Sequence, residues 1–120
     1  MSAIVPQIVY KNSWSQNTAV SPTTLFTPVT SGLFRISIYG NQLGNPAGNV
    51  TWALTWTDAT GAQEVSGNGF GGGTGNPNNT VGVECNVFTI TVYATDAISF
   101  SISIAYPPCA YDAYVEVEAL

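Results

Sequence analysis

The side chains of this sequence that could move protons or hold a metal are few: seven carboxylates, two thiols at Cys85 and Cys109, and no histidine. Without histidine, neither a Ser-His-Asp nor a Cys-His relay can be built. A zinc site would need both thiolates together with carboxylates, an uncommon donor set, so no metal or cofactor site is expected. Paired carboxylates are the remaining route to catalysis, as in glycoside hydrolysis. Glu116 and Glu118 share a face of the terminal segment YDAYVEVEAL, but they end an alternating outward row and read as solvated charges. Asp58 and Glu64 flank the turn DATG, where Asp is favoured for hydrogen bonds to its own backbone. Gly67, Gly69 and Gly72 reproduce the spacing of a dinucleotide fingerprint. That fingerprint works by aiming a helix N-terminus at a pyrophosphate, and the following GTGNPNN cannot start a helix. The inventory predicts no catalytic residue, no cofactor site and no enzyme.

Binding chemistry has more to draw on. Trp14, Trp52, Trp56, Tyr39 and Tyr93 include the makings of a stacking platform for sugar rings, with Asn76 and Asn78 as hydrogen-bonding partners for hydroxyls. Trp52 and Trp56 share a face with Leu54, opposite to Thr55, which assigns them to a core. Trp14 sits among polar residues in KNSWSQNT and has two readings, an exposed contact or an anchor for the N-terminal segment. Arg35 is one of only two cations, the other being Lys11. It is either a contact to an acidic partner or a solvated strand residue.

The elements that must position these residues are strands. Apolar residues recur at period two and are separated by turn residues, the pattern of an antiparallel sandwich or barrel with no significant helix. The clearest strands are expected at 32–39, 50–57, 86–93, 97–105 and 111–119, with a weaker one in AQEVS after the DATG turn. Residues 4–10 are expected to form an edge strand or arm, and 18–27 a short strand pair broken by Pro22. The stretch 66–80, SGNGFGGGTGNPNNT, is expected to be an irregular surface loop. Ile98, Phe100, Ile102 and Ile104 form the longest apolar stripe, and Ala113, Val115 and Val117 oppose Asp112, Glu116 and Glu118.

Charged residues make up 8% of the 120-residue chain and the net charge is -5. An ordinary soluble domain carries roughly a quarter charged residues. With two cations there is no footprint for phosphate backbones, which argues against nucleic acid, and none for anionic membranes. No run of 18 apolar residues is present, so no membrane-spanning helix is expected. The opening MSAIVPQIVY does not follow the pattern of a secretory leader, which predicts synthesis in a host cytoplasm and exit by another route, such as release with an assembled particle. The outward strand positions carry Ser37, Thr55, Thr57, Thr89, Thr91, Ser99, Ser101 and Ser103 where a monomeric sandwich would show lysine and glutamate. Charged edges are a main defence against strand-to-strand association, so their scarcity predicts an oligomer.

The two cysteines leave two readings open, a single disulfide or two buried thiols. Placing Val92 opposite Ile98 and Phe88 opposite Ile102 brings Cys85 near Cys109, and if the two strands lie in facing sheets the cysteines still share one pole. A bond would close a loop of about 25 residues and contribute roughly 3 kcal/mol.

Two stretches resemble known proteins. FTPVTSGLFRISIYG is similar to the segment of tumour necrosis factor-like and complement-type jelly rolls in which a Pro-x-x-Gly turn leads into an aromatic-rich strand. NVFTITVYATDAISFSISI resembles the later strand pair of that superfamily, and YDAYVEVEAL its closing strand. Here Thr95-Asp96 replaces the usual Gly-Asp turn. The same style resembles small virion proteins of tailed bacteriophages. The resemblance implies an all-β, antiparallel, jelly-roll-like sandwich of 7–9 strands over residues 24–120, with residues 1–23 as arm or edge strand. It also implies a homotrimer located on a virion, decorating the capsid through the major capsid protein or another virion component. A carbohydrate-binding sandwich that takes a glycan is the alternative function.

Overall fold

The computed structural model describes residues 6–43, 49–68, 85–105 and 109–120. They form eight strands in the order β1 (Gln7–Gln16), β2 (Val20–Phe26), β3 (Gly32–Gln42), β4 (Asn49–Asp58), β5 (Gly61–Asn68), β6 (Cys85–Ala94), β7 (Ile98–Ala105) and β8 (Tyr111–Ala119). No helix occurs among the described residues. One sheet has the order β1-β8-β3-β6 and the other β2-β7-β4-β5, every pairing being antiparallel. Only β4 and β5 are joined as a hairpin within one sheet; every other connection crosses between sheets. The first four strands therefore pair with the last four as one long hairpin, rolled so that successive rungs fall alternately in the two sheets. This is a jelly roll.

Alternation in the sequence decides which side chains fill the space between the sheets. Phe34, Ile36 and Ile38 of β3 and Ala113, Val115 and Val117 of β8 come from one sheet; Trp52, Leu54, Ile98, Phe100 and Ile102 come from the other, and all are buried. The β4–β5 hairpin turns where DATG was expected to turn. Asp58 Oδ1 accepts from the backbone N–H of Thr60 at 2.8 Å and from its hydroxyl at 2.6 Å, and Gly61 takes the positive φ (124°) that closes the turn.

Five expectations are corrected. The segment 18–27 is one strand rather than a pair, because the register with β7 shifts between Val20 and Thr23 and Pro22 sits in that irregularity. The expected boundary between residues 23 and 24 falls inside this strand. The N-terminal strand runs to Gln16, well beyond residue 10, through the polar stretch KNSWSQ. It is an edge strand laid along the whole of β8, and a register shift at Val9 breaks its alternation. Residues 66–68, expected to open an irregular stretch, belong to β5, which continues to Asn68; the rest of that stretch lies outside the described residues. Gly67 belongs in the strand because the indole of Trp52 lies against its backbone. Finally, β6 and β7 do not pair with each other, so Val92 does not stand beside Ile98 in a ladder. Instead the chain crosses between the sheets at 95–97, where the backbone N–H of Thr95 donates to Thr57 O at 2.8 Å and its hydroxyl to the same oxygen at 3.1 Å.

Candidate functional site

The two outer faces of the sandwich differ in kind. Across β4 and β7 the outer face of the second sheet is a lawn of short side chains: Thr51 faces Ser103, Ala53 faces Ser101 and Thr55 faces Ser99. The outer face of the first sheet carries large ones. Leu33, Tyr39, Tyr93 and Tyr114 are all 41–50% exposed there. Leu33 pairs with Tyr93 at one end of the face, and Tyr39 with Tyr114 at the other.

Both cations of the chain stand on this same face, each opposite a glutamate of β8. Arg35 is in register with Glu118, and its guanidinium grips the carboxylate as a fork, Nε to Oε1 at 3.0 Å and Nη2 to Oε2 at 3.1 Å. The hydrogen bond from Arg35 holds the Glu118 carboxyl below the usual range, and the same bond raises the guanidinium. The structure thus assigns Arg35 a partner within its own chain. Lys11 is in register with Glu116, which in turn faces Ser37 of β3.

Beside these charges, the Tyr39 and Tyr114 rings lie 5.8 Å apart at 53°, flooring a shallow depression of about 510 Å³. Its rim carries Lys11, Asn12, Ser13, Ser37 and Glu116. Asn12 is in register with Val115, so its side chain lies on the inward side of β1, where its amide donates to the Tyr10 hydroxyl at 3.0 Å and its Oδ1 accepts from the Ser13 backbone at 2.8 Å. A tilted aromatic floor with Lys11, Ser13, Ser37 and Glu116 at its margin suits a ligand that is apolar on one face and hydroxylated at its edge. Of the two rings forming its floor, the sequence singled out Tyr39 alone. Tyr114 has the same parity as Asp112, Glu116 and Glu118, so its outward direction was readable from YDAYVEVE; its pairing with Tyr39 required the register of β3 against β8.

The other expected site residues are placed elsewhere. Trp14 is half-buried, and its ring stacks on Phe100 of the facing sheet with centroids 5.6 Å apart at 26°. Of its two readings, this geometry is that of an anchor for the N-terminal strand. Cys109 is buried, which pushes its thiol pKa up, while the side chain of Cys85 lies outside the described residues, as do Asn76 and Asn78. Trp52 is in the core as expected, packed on Phe88 at 4.7 Å. Among the described residues no group of three or more cysteines and carboxylates is placed to hold a metal ion. Asp58 accepts hydrogen bonds from Thr60 that hold its carboxyl below the ordinary range, so it is ionised and occupied by its own turn.

No protein-family model matches the chain, and no curated protein matches it significantly.

Proposed function

We propose that this chain is a structural, non-enzymatic assembly subunit, a decoration protein that coats the outside of a tailed-phage head as an oligomer. The observation that carries the proposal is the outer face of the first sheet, where Leu33, Tyr39, Tyr93 and Tyr114 are exposed on a rigid jelly roll while the only two cations are set against glutamates of the same sheet. Exposed aromatic residues on a rigid scaffold are what a protein contact uses, since they bring large area at low entropic cost. The jelly roll recurs in viral capsid domains, which supports the reading by analogy of fold. Cosedimentation with purified heads of a tailed phage tests it. The expected result is saturable binding at a fixed ratio to the major capsid protein, weakened by Y93A or L33A; absence of cosedimentation would remove the capsid role.

A second reading has its own observation, the Tyr39–Tyr114 depression with its polar rim. Jelly rolls also serve as lectin domains, and a pyranose can lay its C–H face on tyrosine while its hydroxyls meet Lys11, Ser13 and Glu116. On a glycan array this reading expects binding that is lost in Y114A and kept in W14F.

A further inference from the structure

The four outer strands of the two sheets are β1, β6, β2 and β5. An edge strand shows a row of unpaired N–H and C=O groups, and proteins protect such rows with charge, proline, bulges or breaks in regularity. Three of the four carry such a device. β1 has Lys11 and the register shift at Val9; β2 has Pro22 and two register shifts; β5 has Glu64. β6 has none of them. Its sequence CNVFTITVYA contains no charge, no proline and no glycine, and it pairs with β3 over ten consecutive positions without a shift. No described strand pairs with its far side. Phe88 and Ile90, which point inward from it, are left only half-buried at the margin of the core, whereas Val92 is buried.

We propose that β6 pairs with β6 of a second copy of this chain, antiparallel about a twofold axis, so that two first sheets join into one continuous sheet. The occupant follows from the strand itself. An antiparallel twofold contact is isologous, so the strand must complement its own sequence. With the axis at Ile90, Ile90 meets Ile90, Phe88 meets Val92, and Thr89 meets Thr91. Inward apolar residues then face apolar ones and outward hydroxyls face hydroxyls, and no like charges oppose each other. The contact would also cover the exposed parts of Phe88 and Ile90. None of the other edges is self-complementary in this way: a twofold pairing of β1 or β5 brings Lys11 or Glu64 to the seam, and β2 is broken by Pro22 and two register shifts. This inference deepens the assembly reading and rests on it. It joins copies in twos, so the threefold arrangement implied by the sequence resemblance would need a further surface.

Thr89 and Thr91 are exposed, so T89K/T91K leaves the core of the subunit intact while placing lysines directly opposite each other across the seam. The control T24K/S103K adds the same charge at exposed positions of the second sheet. Light scattering is expected to give twice 12.6 kDa for the unmodified chain and for the control. For T89K/T91K the dimer dissociation constant should rise by about tenfold or more, with circular dichroism unchanged. A wild-type monomer or trimer, a T89K/T91K dimer of undiminished affinity, or equal weakening by the control overturns the β6 contact. The assembly reading is judged separately by cosedimentation with phage heads: capsid binding by a wild-type monomer would keep that reading and discard the β6 pairing.

Discussion

Gly67 is the position where the packing makes its sharpest demand on the sequence. In β5 it stands opposite Trp52 of β4, on the inward side. A Cβ added there would lie 2.5 Å from both Cε2 and Cζ2 of the indole and 2.6 Å from Nε1. Ordinary carbon contacts are about 3.5–4.0 Å, so the overlap is about 1 Å. The ring cannot step aside cheaply, because Trp52 is 3% exposed and its other neighbour is Phe88, with centroids 4.7 Å apart. Overpacking of this kind costs about 1–3 kcal/mol, and the alanine recovers about 0.4–1 kcal/mol by restricting the unfolded chain. Gly67→Ala should therefore destabilise by about 1–2 kcal/mol, lowering Tm by roughly 3–10 °C for a domain of this size.

The assay is urea denaturation followed by circular dichroism, where the midpoint should fall with the slope unchanged. A second variant locates the cause. Trp52→Phe removes the clashing ring at its own cost, so the double variant should lose less than the sum of the two single losses, by about 0.5 kcal/mol or more. A Gly67→Ala midpoint at or above that of the wild type would refute the reasoning, and strict additivity would show that the indole is not what glycine accommodates.

Three further outcomes follow from the same geometry. Asp58 and Glu118 have carboxyls held below their unfolded values by hydrogen bonds from Thr60 and Arg35, so their contribution is full above the unfolded range of about 4 and is lost as pH falls through the lower folded values. Melting curves from pH 7 to pH 2 should show Tm falling in the acid range, less steeply in E118Q; a flat profile would contradict this. Tyr111→Phe removes the hydroxyl that donates to Thr18 O at 2.7 Å, but Gln16 Nε2 still donates to that oxygen at 2.9 Å, so the loss in a denaturation midpoint should be near the low end of about 0.5–1.5 kcal/mol. Trp14→Ala deletes a half-buried ring stacked on Phe100 and should cost about 2 kcal/mol by the same measurement, less than the full cost of a core aromatic; a neutral result would return Trp14 to the surface.

The inward and outward sides of the strands were legible in the sequence because alternation is a local property. Ile98, Phe100 and Ile102, or Val115 and Val117, declare their side by parity alone. Strand partners were not legible in the same way. The segment ATDA looks like the tip of a hairpin, yet it carries the chain from one sheet to the other, because β6 is completed by β3 and β7 by β2 and β4. Such pairings join residues far apart in sequence, and no period records them. The reach of β1 to Gln16, beyond the edge strand expected over 4–10, was hidden for a different reason: the strand carries a bulge, its outer side is wet, and Trp14 stacks on the facing sheet from within its polar stretch. The same holds for the candidate site. Tyr39 and Tyr114 each point outward by parity, but their meeting, and the answer to why β3 bears an arginine, lie in the register that sets Arg35 against Glu118.

That register also decides where scarcity of charge matters. With two cations and seven carboxylates, the chain cannot place a lysine on each of four edges. Arg35 is committed to the middle of the first sheet, where it neutralises Glu118, and Lys11 guards β1. β2 and β5 are defended by means that use no cation, proline and bulges in one and an acidic side chain in the other. A low charge content therefore does not expose the sandwich evenly. Its consequence gathers on β6, whose Thr89 and Thr91 occupy the outward positions at which a lysine would have been the simplest protection. Net charge still separates whole molecules at long range, since -5 repels -5 across solution. That repulsion is screened within about a Debye length, roughly 8 Å at physiological salt, so at strand spacing the edge chemistry decides.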